Sequence, residues 1–218
     1  MSTVGKRGTA AGSPTTPLDR SKIVHVALDL LDEVGLDGLS TRLLAARLGV
    51  KSPALYWHFK NKRDLVDAMA EAMMDAAVWP APPPLTADVK DWMAKRAHTF
   101  RKALLSRRDG ARVHAGTQPN SRQLAAIQTQ MLALVTSGIA PTQAARAALA
   151  LSRYTVGWVL EEQASQARAE PNQRRIDLRP FPILQAASDV FDGSEPTKNF
   201  DYGVRAILAG PAPGLSPG

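Results

Sequence analysis

The stretch from Leu39 to Lys62, LSTRLLAARLGVKSPALYWHFKNK, constrains this chain more than any other. Ser40 is placed to cap a helix over Thr41–Leu48. Gly49 is placed to end it, because glycine enters left-handed backbone without steric cost. Ser52 and Pro53 read as the cap and first residue of a second helix carrying Ala54, Leu55, Tyr56, Trp57 and His58. The small Ala45, four residues before Gly49, lets two such helices approach closely, as a helix-turn-helix requires. Between residues 40 and 63 stand six basic residues (Arg42, Arg47, Lys51, Lys60, Lys62, Arg63) and no acidic one. On these residues alone two readings stand side by side. One is a DNA reader with its second helix in the major groove; the other is an ordinary helical hairpin with a solvated basic face.

The chain has 218 residues and a net charge of +7, from 27 basic and 20 acidic side chains. That length accommodates one small and one larger domain, and the charge favours a polyanionic partner. With no cysteine, disulfides, thiolate zinc sites and thiol nucleophiles are excluded. No apolar run approaches the roughly 18 residues of a membrane span. Lys6 and Arg7 precede no apolar stretch of the signal-peptide kind. The expectation is a cytoplasmic protein with no membrane partner.

The fold class read from periodicity is all-α. Residues 1–17 are rich in Gly, Ser, Thr and Pro and read as a disordered arm. Ile23, Ala27, Leu30, Leu31 and Val34 form the stripe of a helix over 20–34, ended by Gly35. Asn61 is placed to cap a helix from Lys62 to Val78, with Leu65, Ala68, Met69, Ala72, Met73 and Ala76 buried. Pro80 to Pro84 break the helical pattern. Further helices are expected from Thr86, as cap, to Ser106, over Ala111–Ala115, Arg122–Ser137, Pro141–Ala167, Phe181–Phe191 and Pro196–Ala209. Residues 168–179 read as a mobile loop, and the tail 211–218 as disordered. The domains expected are a helix-turn-helix unit over 18–64 and a larger helical unit over 65–210.

With LLDEVGLDGLS, TRLLAARLGV and SPALYWHFKNKRDLVDAM in the N-terminal part, the chain resembles the tetracycline repressor (TetR) family of one-component bacterial regulators. FRKALLSRRDGARVHAGTQP and TVGWVLEEQ are similar to its tetracycline repressor-like subclass. The resemblance covers about residues 18–210. It implies a homodimeric repressor on a palindromic double-stranded DNA operator, released by a small-molecule inducer. It further implies that two C-terminal helices per subunit pack into a four-helix bundle.

At the DNA end the resemblance makes Arg42 a base reader, a role suited to its two-pronged grip on guanine. Ser52, Pro53 and Ala54 open the recognition helix, with Pro53 and Ala54 offering apolar contact to a thymine methyl. Ser52 and Ala54 are shorter than the family's residues there, so the operator sequence does not carry over. Tyr56 is implied to touch phosphate, with Trp57 and His58 meeting DNA; one of these three aromatics is expected in the core instead. Thr41 and Lys62 are candidate phosphate contacts, and such contacts position the protein without specifying sequence.

At the ligand end the resemblance makes His114 a direct ligand of a divalent metal, with Thr117 and Glu161 holding the metal's water shell. One histidine with outer-sphere partners suits Mg²⁺ that arrives with a chelating ligand, because Mg²⁺ keeps several waters. No intrinsic cofactor is expected. Phe100, Val113, Gln118, Pro119 and Gln130 match pocket or switch positions, Gln118 replacing a frequent arginine. The family's histidine and asparagine at the far end of the ligand fall on Val78 and Arg96, with His98 close by, and Arg153 stands where a histidine can occur. The ligand expected is a tetracycline-like or other polyketide. An enzyme, such as a metal-dependent hydrolase using His114 and Glu161, and a nonspecific DNA binder are the alternatives. The chain has no HExxH, Walker A or GxSxG motif, and a catalytic metal normally takes three protein ligands.

Overall fold

The computed structural model describes residues 18–84, 87–168, 177–191 and 195–209, and in these every regular element is a helix. The expected arm over 1–17, the tail over 211–218, Thr86 and most of the 168–179 loop lie outside the described residues.

Helix α1 spans Arg20–Gly38, capped by the Asp19 carboxylate, which accepts from the Lys22 amide at 2.7 Å. Its regular course breaks at Gly35 (φ 71°), so the last turn is a separate piece. Helix α2 spans Thr41–Leu48. The Ser40 hydroxyl accepts from the Leu43 amide at 3.2 Å, and Gly49 closes the helix in left-handed backbone (φ 70°). Residues Ser52–Trp57 form a 3-10 helix rather than an α-helix. Ser52 does not cap it. Lys51 occupies that position without a side-chain bond, Ser52 is already helical, and His58 is the C-cap.

Helix α3 (Lys62–Asp75) is capped by Asn61 and stops three residues before the expected Val78. Ala76, expected in its buried stripe, is exposed; Val66, Ala70 and Met74 are buried instead. Helix α4 spans Val89–Leu105, with Asp88 rather than Thr86 as its cap. The short α5 covers Gly110–His114, α6 Ser121–Thr136 and α7 Pro141–Arg168. The single helix expected over 181–191 is two pieces, α8 (Pro182–Ala186) and α9 (Ser188–Phe191). Helix α10 spans Pro196–Ala209.

Two apolar clusters hold these elements. The first runs from Ile23, Leu30, Leu44, Leu55 and Phe59 through α3 to Leu104, Val113 and Val159. The second gathers Trp92, Met93, Leu134, Leu151, Phe200 and Val204 from α4, α6, α7 and α10. Arg101 on α4 makes a doubly hydrogen-bonded ion pair with Glu162 on α7, at 2.7 and 2.8 Å, with both side chains largely buried.

The turn between α4 and α5 fastens α1 to α7. Arg107 binds Asp29 and Asp32, the Arg108 amide donates to Asp32 at 2.9 Å, and Arg112 binds Asp37 at 2.8 Å. Asp109, in left-handed backbone (φ 56°), accepts from the Leu36 amide at 2.8 Å. A side chain on Gly110 would place its Cβ 2.0 Å from the Leu104 carbonyl oxygen, so this turn packs only around a glycine. Gln163 of α7 spans the turn, donating to the Arg107 carbonyl at 2.8 Å and accepting from the Ala111 amide at 3.2 Å. On the opposite side Arg63, in the first turn of α3, donates to the Gly116 carbonyl just after α5. The same side chain pairs with Asp67 at 2.9 Å.

Candidate DNA interface and ligand cavity

The basic stretch presents its readers outward. Arg42 is exposed and makes no hydrogen bond or ion pair among the described residues, while Thr41 is half-buried at the head of α2. Pro53, Tyr56 and Trp57 are exposed, Trp57 to 89%, and Ser52 and Ala54 are half-buried. The expectation that Tyr56, Trp57 or His58 completes the core is overturned. A 3-10 turn places Leu55 and then Phe59 inward, and both are buried. His58 sits half-buried at the edge, its carbonyl accepting from Arg20 at 2.8 Å. The guanidinium of Arg20 also lies 4.4 Å from the centre of the Phe59 ring. Lys62 is exposed and reaches only the Leu36 carbonyl, at 3.4 Å. Exposed aromatic and basic side chains on a fully packed base are what groove and phosphate contacts require.

Farther along the chain, α4, α6, α7 and the end of α3 stand apart around a cavity of about 890 Å³. Phe100, His114, Thr117, Pro119 and Gln130 line it, as expected. Two expected members do not. Val113 is fully buried in the first apolar cluster, because one residue back along the short α5 turns the side chain into the core. Gln118 is exposed, outside the cavity wall. Val78 is 91% exposed and also outside it. His98 faces α10, where its Nε2 lies 2.9 Å from Asp201, and Arg153 is exposed on α7.

The His114 imidazole packs edge-on against Phe100, ring centres 5.0 Å apart. Its Nδ1 is buried with no hydrogen-bond partner among the described residues. Burial pushes its pKa below the ordinary histidine value, which favours the neutral ring. A neutral imidazole with an unclaimed nitrogen is the form that ligates a metal. Thr117 caps the same turn, its hydroxyl donating to the His114 carbonyl at 2.8 Å. Glu161 departs from expectation. It is exposed on α7 and takes no part in the cavity lining of its own protomer. Among the described residues no group of three His, Cys, Asp or Glu is placed to hold a metal ion, so the three-ligand centre of a hydrolase is not assembled there.

Sequence spacing did not single out Trp79, Met131, Thr155 or Arg122 as cavity residues. Arg122 pairs with Asp75 at 2.7 Å, both lining the cavity. The proline segment turns out to position two indoles. Trp79 donates to the Met74 carbonyl at 3.0 Å, and Trp92 to the Pro80 carbonyl at 3.2 Å.

No helix among the described residues is long and apolar enough to cross a membrane. Residues 23–69 match the model of bacterial regulatory proteins of the tetR family, and residues 81–212 match that of the tetracyclin repressor-like C-terminal domain. The chain is 44% identical over 196 residues to the tetracycline repressor protein class A from transposon 1721 of Escherichia coli, covering 89% of this chain and 91% of that one. Its fold is similar to that of a variant TetR from Acinetobacter baumannii AYE in complex with minocycline (TM-score 0.74, 41% identity, 89% and 96% of the two chains). It is also similar to TetR(class A) in complex with 5a,6-anhydrotetracycline and magnesium (TM-score 0.67, 39% identity, 87% and 95%). These matches are to regulators and lend the hydrolase alternative no support. The chain belongs to the tetR family of bacterial regulatory proteins and carries that family's tetracycline repressor-like C-terminal domain.

Proposed function

We propose that this repressor works in the cytoplasm, holds a palindromic operator as a homodimer, and releases it when a tetracycline-like polyketide enters the cavity as a Mg²⁺ chelate. The observation that carries the reading is His114: a neutral imidazole packed edge-on against Phe100, in the wall of a cavity large enough for a polycyclic ligand. His114 would hold the ion through one imidazole nitrogen, and the ion would supply the positive charge that a chelating ligand edge needs while keeping most of its water. Thr117 stands one turn on, where its hydroxyl can hold such a water. Glu161 is exposed on α7 and outside the cavity lining of its own protomer, so in the homodimer its carboxylate is free to hold a metal-bound water at the neighbouring protomer's cavity.

Readout at the DNA follows from the connections. The segment from His114 to Pro119 supplies His114, Thr117 and Pro119 to the cavity wall and the Gly116 carbonyl as acceptor for Arg63. A ligand that pulls this segment inward moves the first turn of α3, and with it the 3-10 helix that Asn61 joins to it. At the DNA, Arg42, Pro53 and Ala54 read bases, and Thr41, Ser52, Tyr56, Trp57, His58 and Lys62 hold the backbone or sugar edges. The two reading heads of a dimer must stay about one DNA turn apart. A ligand shifts that spacing only through its different affinity for the two arrangements.

The test is a thermal-shift and gel-shift series with tetracycline, minocycline and 5a,6-anhydrotetracycline, each with Mg²⁺ or with excess chelator. The expected result is stabilisation and operator release with Mg²⁺ only. Full release in excess chelator would remove His114 from the metal role.

A further inference from the structure

The cavity contains a positive charge that nothing among the described residues neutralises. Arg96 lies on the cavity side of α4. Its guanidinium carbon is 4.9 Å from the centre of the Trp79 ring and 5.2 Å from that of Trp92. Contact with ring faces uses the charge of a guanidinium but none of its five N–H donors as conventional hydrogen bonds. Among the described residues one donor has a polar partner, Nη2 to the Gln130 side-chain oxygen, and that bond is long at 3.4 Å. The acidic side chain of the cavity, Asp75, is taken by Arg122. Burial lowers the Arg96 pKa, with no anion nearby to restore it, yet a guanidinium keeps its proton in proteins.

The same helix shows what a satisfied arginine looks like. Arg101, on the α7 and α10 side of α4, is met by both oxygens of Glu162. Arg96 lines the cavity with most of its donors lacking a polar partner among the described residues. A half-desolvated cation costs free energy unless an anion meets it. The wall between it and His114 is aromatic: Phe100 meets His114 edge-on, and its ring centre lies 6.3 Å from that of Trp79, which in turn covers Arg96.

We infer that Arg96 is the docking point for a carboxylate on the inducer, so that the ligand is a flat aromatic acid spanning from His114 across Phe100 and Trp79 to the guanidinium. An arginine–carboxylate pair can form two parallel charge-assisted hydrogen bonds. This rests on the reading of the cavity as the inducer site and narrows that site to acidic polyketide-like ligands.

The probes are rhein, a dihydroxyanthraquinone bearing one carboxylate, and aloe-emodin, which carries a hydroxymethyl group at the same ring position. Each is titrated into the full-length protein with Mg²⁺ present, reading tryptophan fluorescence and, independently, heat. The expected result is at least about tenfold tighter binding of rhein, with parity in both Arg96→Met and Arg96→Gln. Parity in the wild type overturns the inference, as does a preference that survives both substitutions. If the variants lose their helical circular dichroism, the wild-type ratio alone decides. Equal, measurable binding of both probes sinks this inference and leaves the cavity's role intact; binding of neither also sinks this inference, and the tetracycline series then decides the cavity's role separately.

Discussion

Around Leu44 the side chains of α1, α2 and the 3-10 helix close on one another, and the charged and aromatic groups stay outside. Around His114 the helices stand apart, and an imidazole, a guanidinium and an amide face the space between them. The first arrangement makes a rigid reader whose surface can be specified residue by residue. The second keeps a guanidinium partly desolvated with no acidic partner among the described residues, a costly state that a ligand relieves. Recognition of a stiff duplex and of a small molecule have been given opposite packing solutions in one chain.

The sharpest way to break this contrast is at Arg42. Arg42→Ala should cost about 2–6 kcal/mol of operator affinity over two half-sites and leave ligand-induced thermal stabilisation unchanged. A gel shift like that of the wild type would return Arg42 to the role of a solvated side chain. Packing is tested next. Leu44 is fully buried, and Leu44→Ala should destabilise the fold by about 2–5 kcal/mol, seen as a lowered denaturation midpoint. Ile127→Ala, in the cavity wall and partly exposed, should cost clearly less; equal losses would mean that the cavity wall is packed as tightly as the reader.

His114→Ala sharpens the comparison from the other side. The inducer needed for half-release of operator should rise by on the order of 100-fold, while operator affinity without inducer stays at the wild-type value. The smallest expected effect is a pH dependence. Burial lowers the His114 pKa in the folded chain, so the unfolded chain binds more protons as pH falls below about 6.5. His114 therefore adds no penalty above that value and destabilises the fold progressively as pH drops toward its folded pKa. Denaturation midpoints from pH 7.5 to 5 should fall less steeply in His114→Gln than in the wild type; identical slopes would refute it.

Much of the reader was legible because its signals are local. Ser40, Gly49 and Asn61 act within three or four residues of themselves, and each does what its spacing indicated. Ser52 failed as a cap because Pro53 and the tight 3-10 winding moved the boundary back to Lys51. The cavity was legible only where the resemblance supplied it. Its walls come from segments up to eighty residues apart in the chain, and no short-range pattern links Trp79 to Gln130 or Thr155. Val113 and Gln118 show the same limit, since one residue of rotation separates a cavity wall from the core or from solvent.

The turn from Arg107 to Arg112 joins reader and cavity mainly through ion pairs with Asp29, Asp32 and Asp37, partly open to water. Such pairs feel a Debye length of about 8 Å at physiological ionic strength and about 3 Å at 1 M. Dissolved salt therefore acts twice on this repressor: it competes for the operator's phosphates, and it loosens the joint through which occupancy of the cavity is transmitted. With rising salt, the inducer concentration that half-releases DNA should drift away from the concentration that half-fills the cavity, like a clutch that slips while both shafts still turn.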